Sequence, residues 1–223
     1  MAPERIARGY YSGGDYRQAI QYWDRCIDVS TKAGGDAETW ILAKVGLAQV
    51  YQGAGDHANS LTMLAEAQSR TEEVGDQHLN AKVKINLGVV LIDSARLDEA
   101  ATVLQEAFTI CAVHGLSDYL AASNFYLGKL ALARSELGRA MAYLDAGLVA
   151  ARQVNFRWCE GHIRATQVEV FARGANHSMA LQVVQKAQTF AATDGFFDML
   201  IQQHFAAAQY AASLNDFATA LAN

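Results

Sequence analysis

The sequence predicts an all-α fold, a solenoid of antiparallel helix pairs, and three observations carry that expectation. Proline occurs once, at Pro3, while 52% of the residues are hydrophobic, alanine is abundant and period-two alternation is rare. That composition favours helices over strands. Gly35, Gly75, Gly115 and Gly195 keep a common stride, and Asn155 stands on the one missing mark. Gly and Asn enter the left-handed backbone region most readily, so the series reads as one helix ending repeated five times. Finally, Ala19, Ser60, Ala100, Ala140, Ala180 and Ala220 follow one another at steps of 41, 40, 40, 40 and 40 residues.

Each mark in that last series opens a face. Four residues on lie Trp23, Leu64, Leu104, Leu144 and Val184, all large, and three beyond them Cys26, Ala67, Ala107, Gly147 and Ala187, all small. Offsets of four and seven share one helical face, and a large knob followed by a small gap suits close packing on a neighbour. Upstream of each mark runs a second apolar stretch, clearest in Asn86–Leu91 and Tyr126–Ala131, with related residues at Leu47, Ala48 and Tyr51 and at Ala7 and Tyr10. Short turns bearing Gly, Asp, Ser or Asn join the two stretches, and their side chains are expected to cap the second helix. First helices are predicted over 37–53, 77–94, 117–134, 157–173 and 197–213, and second helices over 15–33, 57–74, 97–114, 137–154 and 177–194. The units are 1–35, 36–75, 76–115, 116–155, 156–195 and a shortened 196–223, read as a single domain over residues 1–223.

The Leu87-Gly88 and Leu127-Gly128 pairs, Tyr10 and Tyr51, the turns Gly14-Asp15 and Gly55-Asp56 and the alanine series together resemble the tetratricopeptide repeat (TPR) family. The period exceeds the family's usual value of about 34 residues. The longer form is similar to the variants in kinesin light chains, Pins/LGN adaptors and bacterial signalling proteins. Gln167 and Val168 stand where the fifth unit would carry Leu-Gly. The resemblance implies a right-handed superhelix whose first helices line a groove for a helix or extended peptide of a partner. The groove residues it implies are Val45, Gln49, Lys82, Ile85, Asn86, Val89, Ile92, Phe125, Lys129, Leu132, Glu169 and Arg173. Their centre is apolar and their ends polar, as expected of a groove that holds an apolar face. Lys82, Asn86, Lys129 and Arg173 do not complete the register of a clamp for a C-terminal carboxylate.

Other chemistries find little support. The net charge of −5 and the lack of any basic run argue against direct nucleic-acid binding. Cys26, Cys111 and Cys159 are an odd, widely spaced set, expected as reduced thiols in the cytoplasm. No apolar run approaches the roughly 20 residues of a membrane span. Cys159 and His162 sit one helical turn apart, but too few further ligands accompany them for zinc, so no metal or other cofactor is expected. No nucleophile–base arrangement or phosphate-binding loop is readable, so no enzyme activity is expected. Trp40 and Trp158, near the starts of first helices, are expected to be buried structural residues.

The function expected is therefore a non-enzymatic protein- or peptide-binding scaffold, the regulatory or interaction region of a larger, bacterial, signalling or transcription-regulatory protein. The alternative is a sensor that binds a signal peptide or small ligand inside the superhelix. The sixth unit stops within its second helix, so Leu214, Phe217 and Leu221 are expected to form an apolar edge through which two copies pair.

Overall fold

The structure, a computed structural model, describes residues 3–32 and 36–174, together with Gln182. All elements among these residues are helices. The chain divides into two compact units at Leu116/Ser117. The first holds α1 (Pro3–Ser12), α2 (Tyr16–Lys32), α3 (Ala37–Gly53), α4 (His57–Val74), α5 (Gln77–Asp93) and α6 (Leu97–His114). The second holds α7 (Ser117–Ala133), α8 (Leu137–Gln153) and α9 (Arg157–Arg173). These bounds agree with the sequence-derived ranges to within a residue or so. Expectations for 175–223, including the second helix of the fifth unit, the sixth unit, Gly195 and the Leu214/Phe217/Leu221 edge, lie outside the described residues, as does Gly35.

Among the described residues, the second, third and fourth units each reverse the chain with two left-handed residues. Between hairpins the predicted series holds: Gly75, Gly115 and Asn155 have φ of 74°, 66° and 53°. A second series, which no glycine ruler announces, lies inside the hairpins at Gly14 (78°), Gly55 (78°), Ala95 (58°) and Ser135 (61°). In each of these turns an N–H reaches back five residues: Asp15 to Tyr10 O, Asp56 to Tyr51 O, Arg96 to Leu91 O and Glu136 to Ala131 O, at 2.8–2.9 Å. This is the helix-closing pattern that a left-handed residue permits. Asp15 and Asp56 cap second helices as expected, and Asp36 and Asp76 cap first helices in the same way, each accepting a backbone N–H from two or three residues on. Hydrogen bonds from Asn59, led by its backbone N–H, hold the Asp56 carboxyl below its usual pKa. The cap positions of α6 and α8 are Arg96 and Glu136, without a side-chain cap. Each instead forms an ion pair three residues on, with Glu99 and Arg139.

The knob-and-gap face is the seam of every hairpin. Ala19, Ser60, Ala100 and Ala140 are fully buried, as are Leu64, Leu104 and Leu144, and Trp23 is 3% exposed. Ser60 keeps its place among alanines because its hydroxyl donates to Ala48 O at 2.8 Å. The glycines opposite are there for clearance. A Cβ on Gly88 would lie 2.4 Å from Leu104, on Gly128 2.9 Å from Leu144, and on Gly46 2.3 Å from the Trp23 ring. Where the fifth unit departs from Leu-Gly, Val168 is fully buried and Gln167 donates to Asp145 Oδ1 at 2.7 Å. Lys44–Glu66 and Lys84–Glu106, both 2.7 Å, tie first to second helix at the same register in two successive hairpins.

First and second helices differ in their surroundings. In the first unit α3 touches α1 and α5 as well as its hairpin partner, and in the second α7 touches α9. Among the described residues of the first unit, the second helices α2, α4 and α6 make no such contacts with one another. Within the first unit the first helices therefore converge and the second helices splay, which makes the first-helix face the concave one.

Two substitutions test this account. Gly88→Ala drives a methyl into Leu104 and should cost about 1–3 kcal/mol. Ala95→Gly relieves a left-handed alanine and, after its own entropy cost, should gain about 0.5–1 kcal/mol. Urea unfolding midpoints, falling for the first and rising for the second, check both.

Candidate functional site

The concave face of the first unit is built from α1, α3 and α5. Lys82, Asn86, Val89 and Asp93, spaced four, three and four apart, lie along one side of α5, none of them buried. Gln49 Nε2 donates to Asn86 Oδ1 at 2.9 Å and Gln52 Nε2 to Asp93 Oδ2 at 2.6 Å, so the polar residues of α3 and α5 bridge the two helices. Asn86 in turn donates to Lys82 O at 2.8 Å. Beside this ladder, α1, α2, α3 and α5 line an open cavity of about 200 Å³, with Arg8, Tyr11, Trp23, Leu42, Gln49 and Lys82 among its walls. Arg8 pairs with Glu4 at 2.7 Å. Burial, and behind it the neighbouring Tyr16, pushes the Tyr11 hydroxyl up, so it remains a donor at neutral pH.

In the second unit the first-helix face is aromatic. Trp158 stacks on Phe156 at 5.8 Å, meets Phe125 edge-on at 6.2 Å and lies 4.3 Å from His162. Lys129 Nζ is 6.0 Å from the Phe125 ring centre. Glu169 and Arg173 form an ion pair at 2.6 Å, and Arg173 also reaches Leu132 O at 3.4 Å.

Seven of the residues expected to line a groove fall into two registers. Val45, Ile85 and Phe125, with Ala165 at the next mark, are 2%, 5%, 4% and 1% exposed. Leu132, at 5%, is also inside. These side chains are enclosed because first helices have neighbours on several sides. Four residues further on, Gln49, Val89, Lys129 and Glu169 are all partly exposed, and so is Ile92. One register is thus uniformly apolar and enclosed. The other is accessible and carries an amide, an aliphatic, a cation and an anion.

Two tryptophans divide. Trp40 packs half-buried on the core of α3–α5, with Lys44 Nζ 5.2 Å from its ring centre. Trp158, expected to be buried, is 41% exposed, because it stands at the start of α9 with only rings of its own face beside it. Arg8, Tyr11 and Phe156 were not anticipated from the sequence. Arg8 is one position on from Ala7, a signal that was present, but a single cation without a register partner carries no pattern.

Cys159 and His162 part company: Cys159 is fully buried in the core of α7–α9, and His162 belongs to the ring cluster. Among the described residues no group of three or more His, Cys, Asp or Glu side chains is placed to hold a metal ion. None of the described helices is long and apolar enough to cross a membrane.

Comparison with known proteins follows this geometry. Residues 37–112 match the tetratricopeptide repeat family. Among curated proteins nothing matches the chain. A Rap protein complexed with Competence and Sporulation Factor superposes with a TM-score of 0.79 at 12% identity, over 95% of this chain and 64% of that one. The Rap conjugation gene regulator of plasmid pLS20, in complex with the Phr* peptide, gives 0.78 at 14% identity, over 88% and 55%. A Podospora anserina protein assigned as a kinesin light chain, with nearly identical TPR-like repeats, gives 0.64 at 13%, over 86% and 93%. The match to the tetratricopeptide repeat family covers those residues, and the chain shares the all-helical solenoid fold of these structures. It spans under two thirds of the two Rap chains.

Burial pushes the Cys159 thiol up to about 12, so it stays protonated, hence unreactive, at ordinary pH. Iodoacetamide at pH 8 should leave Cys159 unmodified in the folded protein and label it after denaturation, read by peptide mass spectrometry.

Proposed function

We propose that the chain is a non-enzymatic interaction module, the regulatory or recognition region of a larger signalling protein. It holds a helix or extended segment of a partner against the first-helix faces of its repeats. The observation that carries this reading is the accessible register Gln49, Val89, Lys129 and Glu169, which changes chemistry at every repeat while its neighbour in the fold stays apolar and buried. A face that served only packing would repeat its residue type, as the Leu64/Leu104/Leu144 knobs do. Apolar Val89 and Ile92, flanked by Gln49, Lys82 and Asn86, supply the apolar centre and polar rim of a helix-in-groove site. The three buried cysteines, none of them in a disulfide, fit a reducing cytoplasmic setting.

A second reading, sensing of a signal peptide or small ligand, is favoured by the two Rap structures, each described as a complex with a named factor or peptide. The two readings share the first-helix face and differ in what occupies it.

Selection of a displayed random twelve-residue peptide library on the protein tests the proposal. Enriched peptides should lose about tenfold or more in affinity for Val89→Asp. They should bind Thr109→Asp, altered on the outer helix α6, as they bind the unmodified protein, with circular dichroism confirming the fold of both variants. Peptides that bind Val89→Asp with full affinity would place recognition elsewhere. Failure to enrich any peptide, with a thermal shift from a metabolite panel, would favour the sensor reading.

A further inference from the structure

We propose that the cavity between α1, α2, α3 and α5 receives an acidic side chain, the aspartate or glutamate of the bound segment. The inference rests on the peptide-binding reading and specifies one contact within it.

Charge is the first support. The residues lining the cavity include two cations, Arg8 and Lys82, and no carboxylate, in a chain whose net charge is −5. The two come from α1 and α5, elements far apart in sequence that the fold brings to one opening. Volume is the second. About 200 Å³ holds several waters or one short side chain with its carboxylate, and is too small for a folded element or a large cofactor.

An unmet donor is the third support. Trp23, 3% exposed, forms part of the wall, and its indole N–H is enclosed without an acceptor. Buried donors are nearly always paired, and Trp23, a residue of this wall, carries one that has no acceptor. Tyr11 and Ser12 add hydroxyl donors to the same lining. The existing partner of Arg8 is no obstacle. Glu4 holds it through a one-turn pair in which the Arg8 side chain is 55% exposed, and a pair so open to water exchanges readily for a better-enclosed carboxylate.

The test follows the Trp23 indole signal, assigned through Trp23→Phe, in the 15N-labelled protein. The probes are N-acetyl-glutamate amide, N-acetyl-glutamine amide, N-acetyl-alanine and inorganic phosphate. The glutamate compound should give a saturable shift and the glutamine compound none. Arg8→Gln and Lys82→Gln, singly and together, should weaken the glutamate Kd by about threefold or more. Both singles are measured because Arg8 is replaced at the surface without disturbing the core. An equal response to glutamine, no response to any probe, or undiminished binding by the variants would overturn the proposal. A stronger response to N-acetyl-alanine or to phosphate would overturn it in favour of a chain terminus or a phosphate. Library peptides that need Val89 yet bind Arg8→Gln/Lys82→Gln normally would remove this inference and leave the peptide-binding reading in place.

Discussion

A helix pair is too thin to keep water off both of its sides, and the fold's regularity follows from how each pair closes that gap. The closing contact is a leucine of the second helix pressed against the backbone of the first. Leu104 and Leu144 lie where a Cβ on Gly88 or Gly128 would stand. Each fully buried leucine contributes about 2–3 kcal/mol, and the backbone approach makes room for the small residues one turn on, Ala67, Ala107 and Gly147. Trp23 makes the same kind of contact on Gly46 but across hairpins, from α2 to α3. One bulky ring there fastens the first pair to the second.

Close packing of this kind needs the chain to re-enter at a fixed angle every time, which is the work of the turns. Among the described residues, each of the second to fourth units has two left-handed residues, one inside the hairpin and one after it. Glycine supplies half of them, and Asn155 substitutes at little cost. Ala95 and Ser135 hold the same backbone shape despite a Cβ. Their turns keep the same five-residue hydrogen bond as Gly14 and Gly55. The surrounding helices therefore set the turn, and the glycine only eases it.

That distinction explains what was legible in the sequence. The stride, the helix bounds and the seam all repeat, and a repeated signal of modest specificity becomes strong when counted in register. The inner series of left-handed residues stayed hidden because Ala95 and Ser135 do not look like turn residues. The groove was legible only in part. A helical wheel assigns one buried face to a helix with one neighbour, yet α3 has neighbours in α1, α2, α4 and α5. Val45, Ile85, Phe125 and Leu132 were therefore read as lining when they are enclosed. Trp158 erred in the opposite sense, since an aromatic residue near a helix start says nothing of whether anything covers it.

The separation of registers bears on function more than the fold does. Superpositions at 12–14% identity report a shared backbone arrangement, and a solenoid backbone is compatible with many occupants. What distinguishes one such protein from another must lie in positions released from the packing constraint. In this chain those positions can be identified without any relative, because each repeat serves as a control for the others. The seam repeats Leu64, Leu104 and Leu144 without change. The enclosed first-helix register varies only in size, through Val45, Ile85, Phe125 and Ala165. The accessible register one turn on runs Gln49, Val89, Lys129 and Glu169, and the exposed one beyond it runs Gly53, Asp93, Ala133 and Arg173. The repeating seam does not set that sequence of chemistries, since Leu64, Leu104 and Leu144 stay the same while this register changes. Varied chemistry at positions released from the seam is what the proposed recognition role calls for.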